Sequence, residues 1–282
     1  MRRERLGLVG VIVMFLLGMI SSVLERPDGS PDHPRRPDTG QEQQHRRPQV
    51  LPGSDVLGPI SPQDPAITIA PAEKGNSTGT AFAIGDGVWM TARHVIDGCT
   101  AFGVVDGRRA HRGGAARLSP VHDLAVFRTD GRAPVLGFDL SPLRRGQAGF
   151  HLGYPQGRPG DVRSSLLGRM RVVVPGRRRS QPVIAWAETV REPRFPGSLG
   201  GMSGGPVLNG AGDVIGVSVA ESRRRGRIFT SAPAAVHDML VEAGVTVSPA
   251  GSGAPVSSRG FEDTGQTLRA SRTVSQVICR VR

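Results

Sequence analysis

The sequence predicts an all-β fold of many short strands, on three observations. Gly (39) and Pro (23) together exceed a fifth of the 282 residues, enough to punctuate the chain every few positions. Apolar runs of strand length recur between those turn residues. Long stretches with helical apolar periodicity, which a bundle would need, are few. Short strands with such punctuation suggest a barrel or a sandwich.

The elements follow in chain order. Met1-Arg2-Arg3-Glu4-Arg5 precedes 19 uncharged, mostly apolar residues, Leu6 to Leu24. At about 1.5 Å per residue this run nearly crosses a hydrocarbon core of roughly 30 Å. The arginines before it stay cytoplasmic by the positive-inside rule, so the remainder is exported. A retained membrane anchor and a cleaved signal peptide, with Ser21 and Ser22 as a weak cleavage site, are the two readings of 1–25. Residues 26–65 hold nine of the 23 prolines and no apolar periodicity, the composition of a disordered spacer. The globular part is expected over 66–247. Its strand-length runs are 79–84, 88–92, 101–105, 124–128, 148–153, 166–174, 183–190, 206–208, 213–219 and 227–231. Pro233 to Ala243 reads as a short amphipathic helix, with Ala235, Val236, Met239, Leu240 and Ala243 on one side. Residues 248–282, rich in Ser, Gly and Thr, read as a flexible C-terminal tail.

Composition excludes several classes. A hydrophobic fraction of 38% is too low for a polytopic membrane protein. Two cysteines, Cys99 and Cys279, make neither a disulfide-dense scaffold nor a four-cysteine zinc site. No histidine pair has HExxH spacing and no Cys/His cluster exists, so no metal and no cofactor are expected. The net charge of +12 raises a nucleic-acid or anionic-surface partner. Aromatics are only 4% and no nucleic-acid motif occurs, so no nucleic-acid partner is expected. Most of the excess, 23 basic against 14 acidic residues, lies in 66–247 rather than in an arm. Two clusters stand out there, Arg177-Arg178-Arg179 and Arg223-Arg224-Arg225-Gly226-Arg227, both between expected strands.

The segment Gly200-Gly201-Met202-Ser203-Gly204-Gly205-Pro206-Val207 singles out Ser203. Neighbours without side chains let the backbone turn tightly and approach a substrate closely. The N–H groups of Gly201 and Ser203 can then converge on one point, as an oxyanion hole requires. Serine is a poor nucleophile without a base. Val88-Trp89-Met90-Thr91-Ala92-Arg93-His94-Val95-Ile96 reads as a strand ending in a turn that presents His94. In Val121-His122-Asp123-Leu124-Ala125-Val126-Phe127, Asp123 precedes a buried strand and suits a carboxylate that orients an imidazole. His122 reads as solvent-facing, and His111, His151 and His237 show no partner pattern.

Three motifs in the order His, Asp, Ser resemble the trypsin-like serine peptidases, specifically their bacterial HtrA-like branch. Thr91-Ala92-Arg93-His94-Val95 is similar to the family's TAxHV motif, Asp123-Leu124-Ala125-Val126 to D-[IL]-A-[VL], and Gly201-Met202-Ser203-Gly204-Gly205-Pro206 to GxSGGP. Gly75 to Phe82 resembles its glycine-rich SGTGF strand, and Gly153-Tyr154-Pro155-Gln156-Gly157 its G-x-P-x-G loop. The resemblance covers about 70–245. It implies two antiparallel six-stranded β-barrels, about 66–135 and 136–247, with Pro233–Ala243 as the C-terminal helix closing the second. It implies a serine endopeptidase with His94 as base, Asp123 orienting it and Ser203 as nucleophile. A catalytically inactive binding module on the same fold is the alternative.

The chain departs from the family in two ways. Met202 stands where digestive members carry Asp, so activation by pairing with a new N-terminus is not expected. Only 35 residues follow 247, too few for a PDZ domain. The resemblance places Gly197 near the base of the primary specificity pocket, which argues against a charge there. It sets Val219, Ala220 and Glu221 beside the substrate backbone. A small or medium apolar residue before the scissile bond is expected, with Glu221 attracting a basic residue as the rival. The expected partners are a protein or peptide substrate and, through 6–24, the inner membrane; the expected place is periplasmic or otherwise extracytoplasmic. In an exported protein two cysteines often pair, which would pin the tail by Cys279 to Cys99 near the histidine loop. Two free thiols, or an intermolecular bridge from Cys279, are the alternatives.

Overall fold

The structure is a computed structural model and describes residues 55–71, 75–176, 179–251 and 253–281. The expected anchor at 6–24 and residues 26–54 of the expected spacer lie outside the described residues. Among the described residues no helix is long and apolar enough to cross a membrane.

Sixteen strands and three α-helices are described. The first seven strands are β1 (Ala66–Thr68), β2 (Ser77–Gly85), β3 (Val88–Thr91), β4 (Ala101–Asp106), β5 (Arg109–Arg112), β6 (Gly114–Leu118) and β7 (Ala125–Arg128), with a single helical turn α1 (Arg93–Ile96) after β3. Then come β8 (Gly137–Phe138), β9 (Ala148–Gly153), β10 (Gly160–Val173), β11 (Gln181–Glu192), β12 (Pro206–Leu208), β13 (Val214–Ser222) and β14 (Arg227–Thr230). The chain ends in α2 (Pro233–Ala243), β15 (Ser248–Pro249), α3 (Phe261–Ala270) and β16 (Val274–Arg280). Every strand-length run read from the sequence lies in or overlaps a strand, and the Pro233–Ala243 helix has the expected bounds. Pro233 opens α2 where a missing N–H costs nothing, and Gly244, at φ 64°, caps it.

The fold is all-β, as expected, but its two halves differ from a pair of closed barrels. In the second, β12-β9-β10-β11-β14-β13 run in order and β13 pairs back on β12, closing a six-stranded barrel. The first is a curled seven-stranded sheet, β5-β4-β16-β2-β3-β7-β6, whose outer strands β5 and β6 do not meet. Two short edge strands, β5 and β6, had no apolar run to announce them; their side chains are mostly exposed.

Both expected boundaries need correction. The expected flexible tail over 248–282 contains α3 and β16. Strand β16 is not an edge: it sits between β2 and β4, antiparallel to both, with Val277 opposite Gly79 and Val104. Ser275, Val277 and Cys279 are buried while Gln276 and Ile278 are less so, the alternation of a strand with one face on the core; Val274, at the start, is buried as well. Serine and threonine in this stretch disguised that pattern. A disulfide joins Cys99 to Cys279 (Cα–Cα 5.6 Å), the intramolecular pairing among the alternatives. Helix α3 is fixed by a bidentate ion pair: Arg269 donates to both oxygens of the fully buried Asp161 on β10 (2.6 and 2.7 Å). Gly265 of α3 lies so close that an added Cβ would stand 2.0 Å from Asp161 Oδ2.

At the other end, β1 does not belong to the first sheet. It runs parallel to β10 of the closed barrel, with Ile67 opposite Val172. The described end of the expected spacer is also packed: the Leu57 N–H donates to the Leu143 carbonyl (2.8 Å), and the Leu57 side chain is buried with Leu143 and Trp186. The first sheet therefore takes its extra strand from the C-terminus, and the second barrel takes a flanking strand from the N-terminus. One apolar cluster spans the two, uniting Val95, Ala92 and Val277 with Val172, Val183 and Val219. Helix α2 does not close the second barrel alone, since it packs on both β13 and β7.

Candidate active site

His94 follows β3 directly. Strand β3 is buried at all four residues, so Thr91 and Ala92 are fixed and the next turn, α1, carries His94 out to the cleft. Its side chain is 25% exposed. Asp123 precedes β7, the neighbour of β3, and β3–β7 pairing (Thr91 opposite Ala125) brings the two together. One carboxylate holds His94 twice: the backbone N–H donates to Oδ1 (2.9 Å), and ring Nδ1 lies 2.6 Å from Oδ2. An ionised carboxylate only accepts, so Nδ1 donates to it, and in the neutral imidazole Nε2 is then the acceptor.

Ser203 comes from the other half of the molecule, on the loop before β12, and several bonds anchor that loop to β2 and β13. The Thr80 N–H donates to the Ser203 carbonyl (2.8 Å), and the Gly204 N–H donates to the Ser218 carbonyl (2.7 Å). Ser218 returns a bond from its own N–H to the Gly205 carbonyl (2.9 Å). Gly204, at φ +88°, is required: a Cβ there would stand 2.1 Å from both Thr80 O and Thr91 Oγ1, and 2.8 Å from the Ala92 nitrogen. Ser203 is thus adjacent to a glycine pressed against the base of the turn that carries His94. Gly201, at φ +98°, also leaves no room for a side chain: an added Cβ would stand 2.4 Å from Tyr154 O.

The N–H groups of this loop divide into two sets. Those of Gly200, Met202, Gly204 and Gly205 are used internally. Those of Gly201 and Ser203 donate to no group among the described residues. Two N–H groups left over on alternate residues of a pinned loop are what stabilisation of an oxyanion asks for.

His94 and Asp123 line a cavity of about 210 Å³ with Val172, Val183, Val219, Ala220 and Glu221. Beyond Val217, which pairs with Pro206, β12 no longer covers β13, leaving the edge at Val219–Glu221 without a strand partner on that side among the described residues. Gly197 is not among the cavity's lining residues; its carbonyl accepts from Arg191 Nη1 (2.8 Å). The Glu221 carboxylate accepts a hydrogen bond from the Ser198 hydroxyl, so it is tied to the Gly197 side rather than standing alone at the rim.

Sequence reasoning missed a layer behind these residues. Thr80 is fully buried; its hydroxyl donates to the Gly201 carbonyl (2.7 Å) and accepts from the Tyr154 N–H (3.1 Å). Thr91 donates to the Thr80 carbonyl (2.7 Å). His151 on β9 is fully buried, edge-on to Trp186, with Nε2 2.7 Å from Ser164 Oγ and Nδ1 3.2 Å from Ser218 Oγ. Ser164 donates its own proton to the Gly149 carbonyl (3.3 Å), so His151 Nε2 is the donor and Nδ1 accepts from Ser218. Burial pushes the His151 imidazole down to about 3, and it stays neutral. The available signal was a polar residue inside an apolar run, as in Phe150-His151-Leu152 and Val217-Ser218-Val219. His122, expected to face solvent, is largely buried: its side chain is 13% exposed and Nε2 lies 3.6 Å from Asp238 on α2.

Comparison with known proteins fits this geometry. Residues 79–217, from the β2 strand that pins the serine loop to the β13 strand behind it, match the sequence model of the trypsin-like peptidase domain. The chain carries a trypsin-like peptidase domain. No curated protein sequence matches the chain. Among solved structures it is similar to the Rv3671c protease from M. tuberculosis in its active form, at 23% identity and a TM-score of 0.52, covering 72% of this chain and all of that one. The inactive form of the same protease aligns at 22% identity and a TM-score of 0.50, covering 60% of this chain and 88% of that one. The HtrA-type protease AlgW aligns at 22% identity and a TM-score of 0.43, over 59% of this chain and 52% of that one. With its domain matched and its fold shared, the protein is a serine endopeptidase of the trypsin-like class.

Proposed function

We propose that this trypsin-like domain cleaves peptide bonds of exported proteins through His94, Asp123 and Ser203. Ser203 Oγ attacks the scissile carbonyl carbon while its proton passes to His94 Nε2. The carbonyl oxygen, now negative, is held by the N–H groups of Gly201 and Ser203. Collapse expels the amine, which takes the proton from His94, and leaves an acyl-enzyme on Ser203. Water then repeats the sequence, with His94 again as base, and releases the acid. Asp123 holds the imidazole in the tautomer that presents Nε2 and stabilises the imidazolium formed in each half-reaction. The observation that carries this reading is the double hold of Asp123 on His94, with Gly204 pressed against Thr91 and Ala92 beside it.

The substrate lies extended along the open edge at Val219–Glu221, adding a strand to β13. Ser198 engages Glu221, and the primary pocket beside Gly197 takes an uncharged side chain. The apolar run 6–24 exports the domain and tethers it to the membrane; the Cys99–Cys279 disulfide supports an oxidising compartment. The test is hydrolysis of an unstructured protein by the full chain and by Ser203→Ala. Cleavage by the first and a loss of at least about a thousandfold in the second is expected; equal rates would reject the triad.

A further inference from the structure

The cavity beside His94 has a wall that the peptidase motifs do not supply. Ile69 and Ala70 line it together with His94, Val172, Val174 and Val219. They lie upstream of the matched domain, which begins at residue 79, on the segment that follows β1. That segment is held, not merely adjacent. Strand β1 pairs with β10, the Ile69 N–H donates to the Val173 carbonyl (3.0 Å), and Arg171 donates from its backbone to the Pro65 carbonyl (2.8 Å) and from Nε to the Asp64 carbonyl (3.0 Å). The Ile69 side chain is half-buried against the apolar cluster that spans both halves of the molecule.

An extended substrate turns successive side chains to opposite sides. If the residue that donates the scissile carbonyl points toward Gly197, the one before it points toward His94, into this cavity. The cavity's aliphatic lining offers nothing to a charged group at that depth, since its ionisable neighbours are already engaged: His94 with Asp123, and Glu221 with Ser198. We propose that Ile69 is a specificity-determining residue, the outer wall of a site that takes a small or branched aliphatic side chain from the substrate residue immediately preceding the scissile one. This rests on the reading of Ser203 as the nucleophile given above.

The experiment uses the full chain as wild type, Ile69→Ala and Ile69→Trp, with a peptide series varied only at the position before the scissile residue (Gly, Ala, Val, Leu, Phe, Asp, Lys). Wild type should prefer Val and Leu over Gly, Asp and Lys. Ile69→Ala should raise kcat/KM for Phe relative to Val by roughly tenfold or more, and Ile69→Trp should lower Leu relative to Ala by a similar factor, the range one or two methylenes command in an apolar site. Fluorophosphonate labelling of Ser203 separates the two readings. Labelled protein whose preferences are the same in all three forms overturns the role of Ile69 and leaves the peptidase reading intact. An unlabelled wild type overturns the peptidase reading, and the role of Ile69 with it.

Discussion

At the residue scale, the groups that do chemistry stand on others that do none. Thr80 joins Gly201, Tyr154 and Ser203 through three bonds, and Gly201 and Ser203 are the two residues assigned to the oxyanion. Thr80→Val keeps the shape of the side chain, removes the hydroxyl and leaves the Gly201 carbonyl and the Tyr154 N–H without that partner. It should lower kcat by about tenfold or more with KM nearly unchanged, and Thr80→Ser should restore most of it. A purely structural threonine would instead change thermal stability and leave the kcat of the folded fraction alone. His151 makes a prediction of another kind. Unfolded, its imidazole takes a proton near pH 6.5; folded, it does so only near pH 3, because burial excludes the charge. The unfolded state thus binds the extra proton between those values. The stability His151 permits is complete above about pH 6.5 and is lost on acidification at about 1.4 kcal/mol per pH unit, down to about pH 3. Urea unfolding at pH 7 and pH 5 should show a drop in the wild type about 2 kcal/mol larger than in His151→Gln. Equal drops would mean that His151 is hydrated or already charged.

At the element scale, the strands that bear motifs were legible and the strands that complete the sheets were not. Strands β3, β7, β12 and β13 announced themselves as apolar runs beside His94, Asp123, Ser203 and the substrate edge. Strand β16 did not, because three of the residues around its buried Val274 and Val277 are polar and its partners β2 and β4 lie roughly 170 to 200 positions upstream. Pairing is a property of two segments, and a single sequence shows only one at a time. The disulfide reading pointed to the right place: a tail pinned beside the histidine loop has to lie on the first sheet. Because the bond closes a loop of 180 residues, it removes much unfolded-chain entropy. Cys279→Ser should cost about 3–5 kcal/mol, with the midpoint of urea unfolding falling and its slope rising, because the unfolded chain expands once the loop is opened. Labelling of Ser203 should fall with it, since β16 pairs with the β2 segment, Gly79 and Thr80, that holds the serine loop. A variant as stable as the wild type would show that β16 is held by its ladder alone.

At the scale of the whole molecule, the two halves share one apolar cluster, and the site lies on their seam. His94 and Asp123 come from the curled sheet, Ser203 and the open edge Val219–Glu221 from the closed barrel, and the chain ends cross over, β16 to the first and β1 to the second. The positive charge noticed in the sequence belongs to this folded unit and not to an arm. Arg223, Arg224 and Arg225 form an exposed turn between β13 and β14, past the end of the substrate edge. What would tie both halves to one function is the proposed pairing of Ser203 as nucleophile with His94 from across the seam. Fluorophosphonate labelling followed by mass-spectrometric mapping tests that most directly, in the wild type and in His94→Ala. The expected result is a single adduct on Ser203, formed at least about a thousandfold more slowly without the imidazole. No adduct on Ser203 in the wild type, or one formed equally fast in His94→Ala, would contradict it.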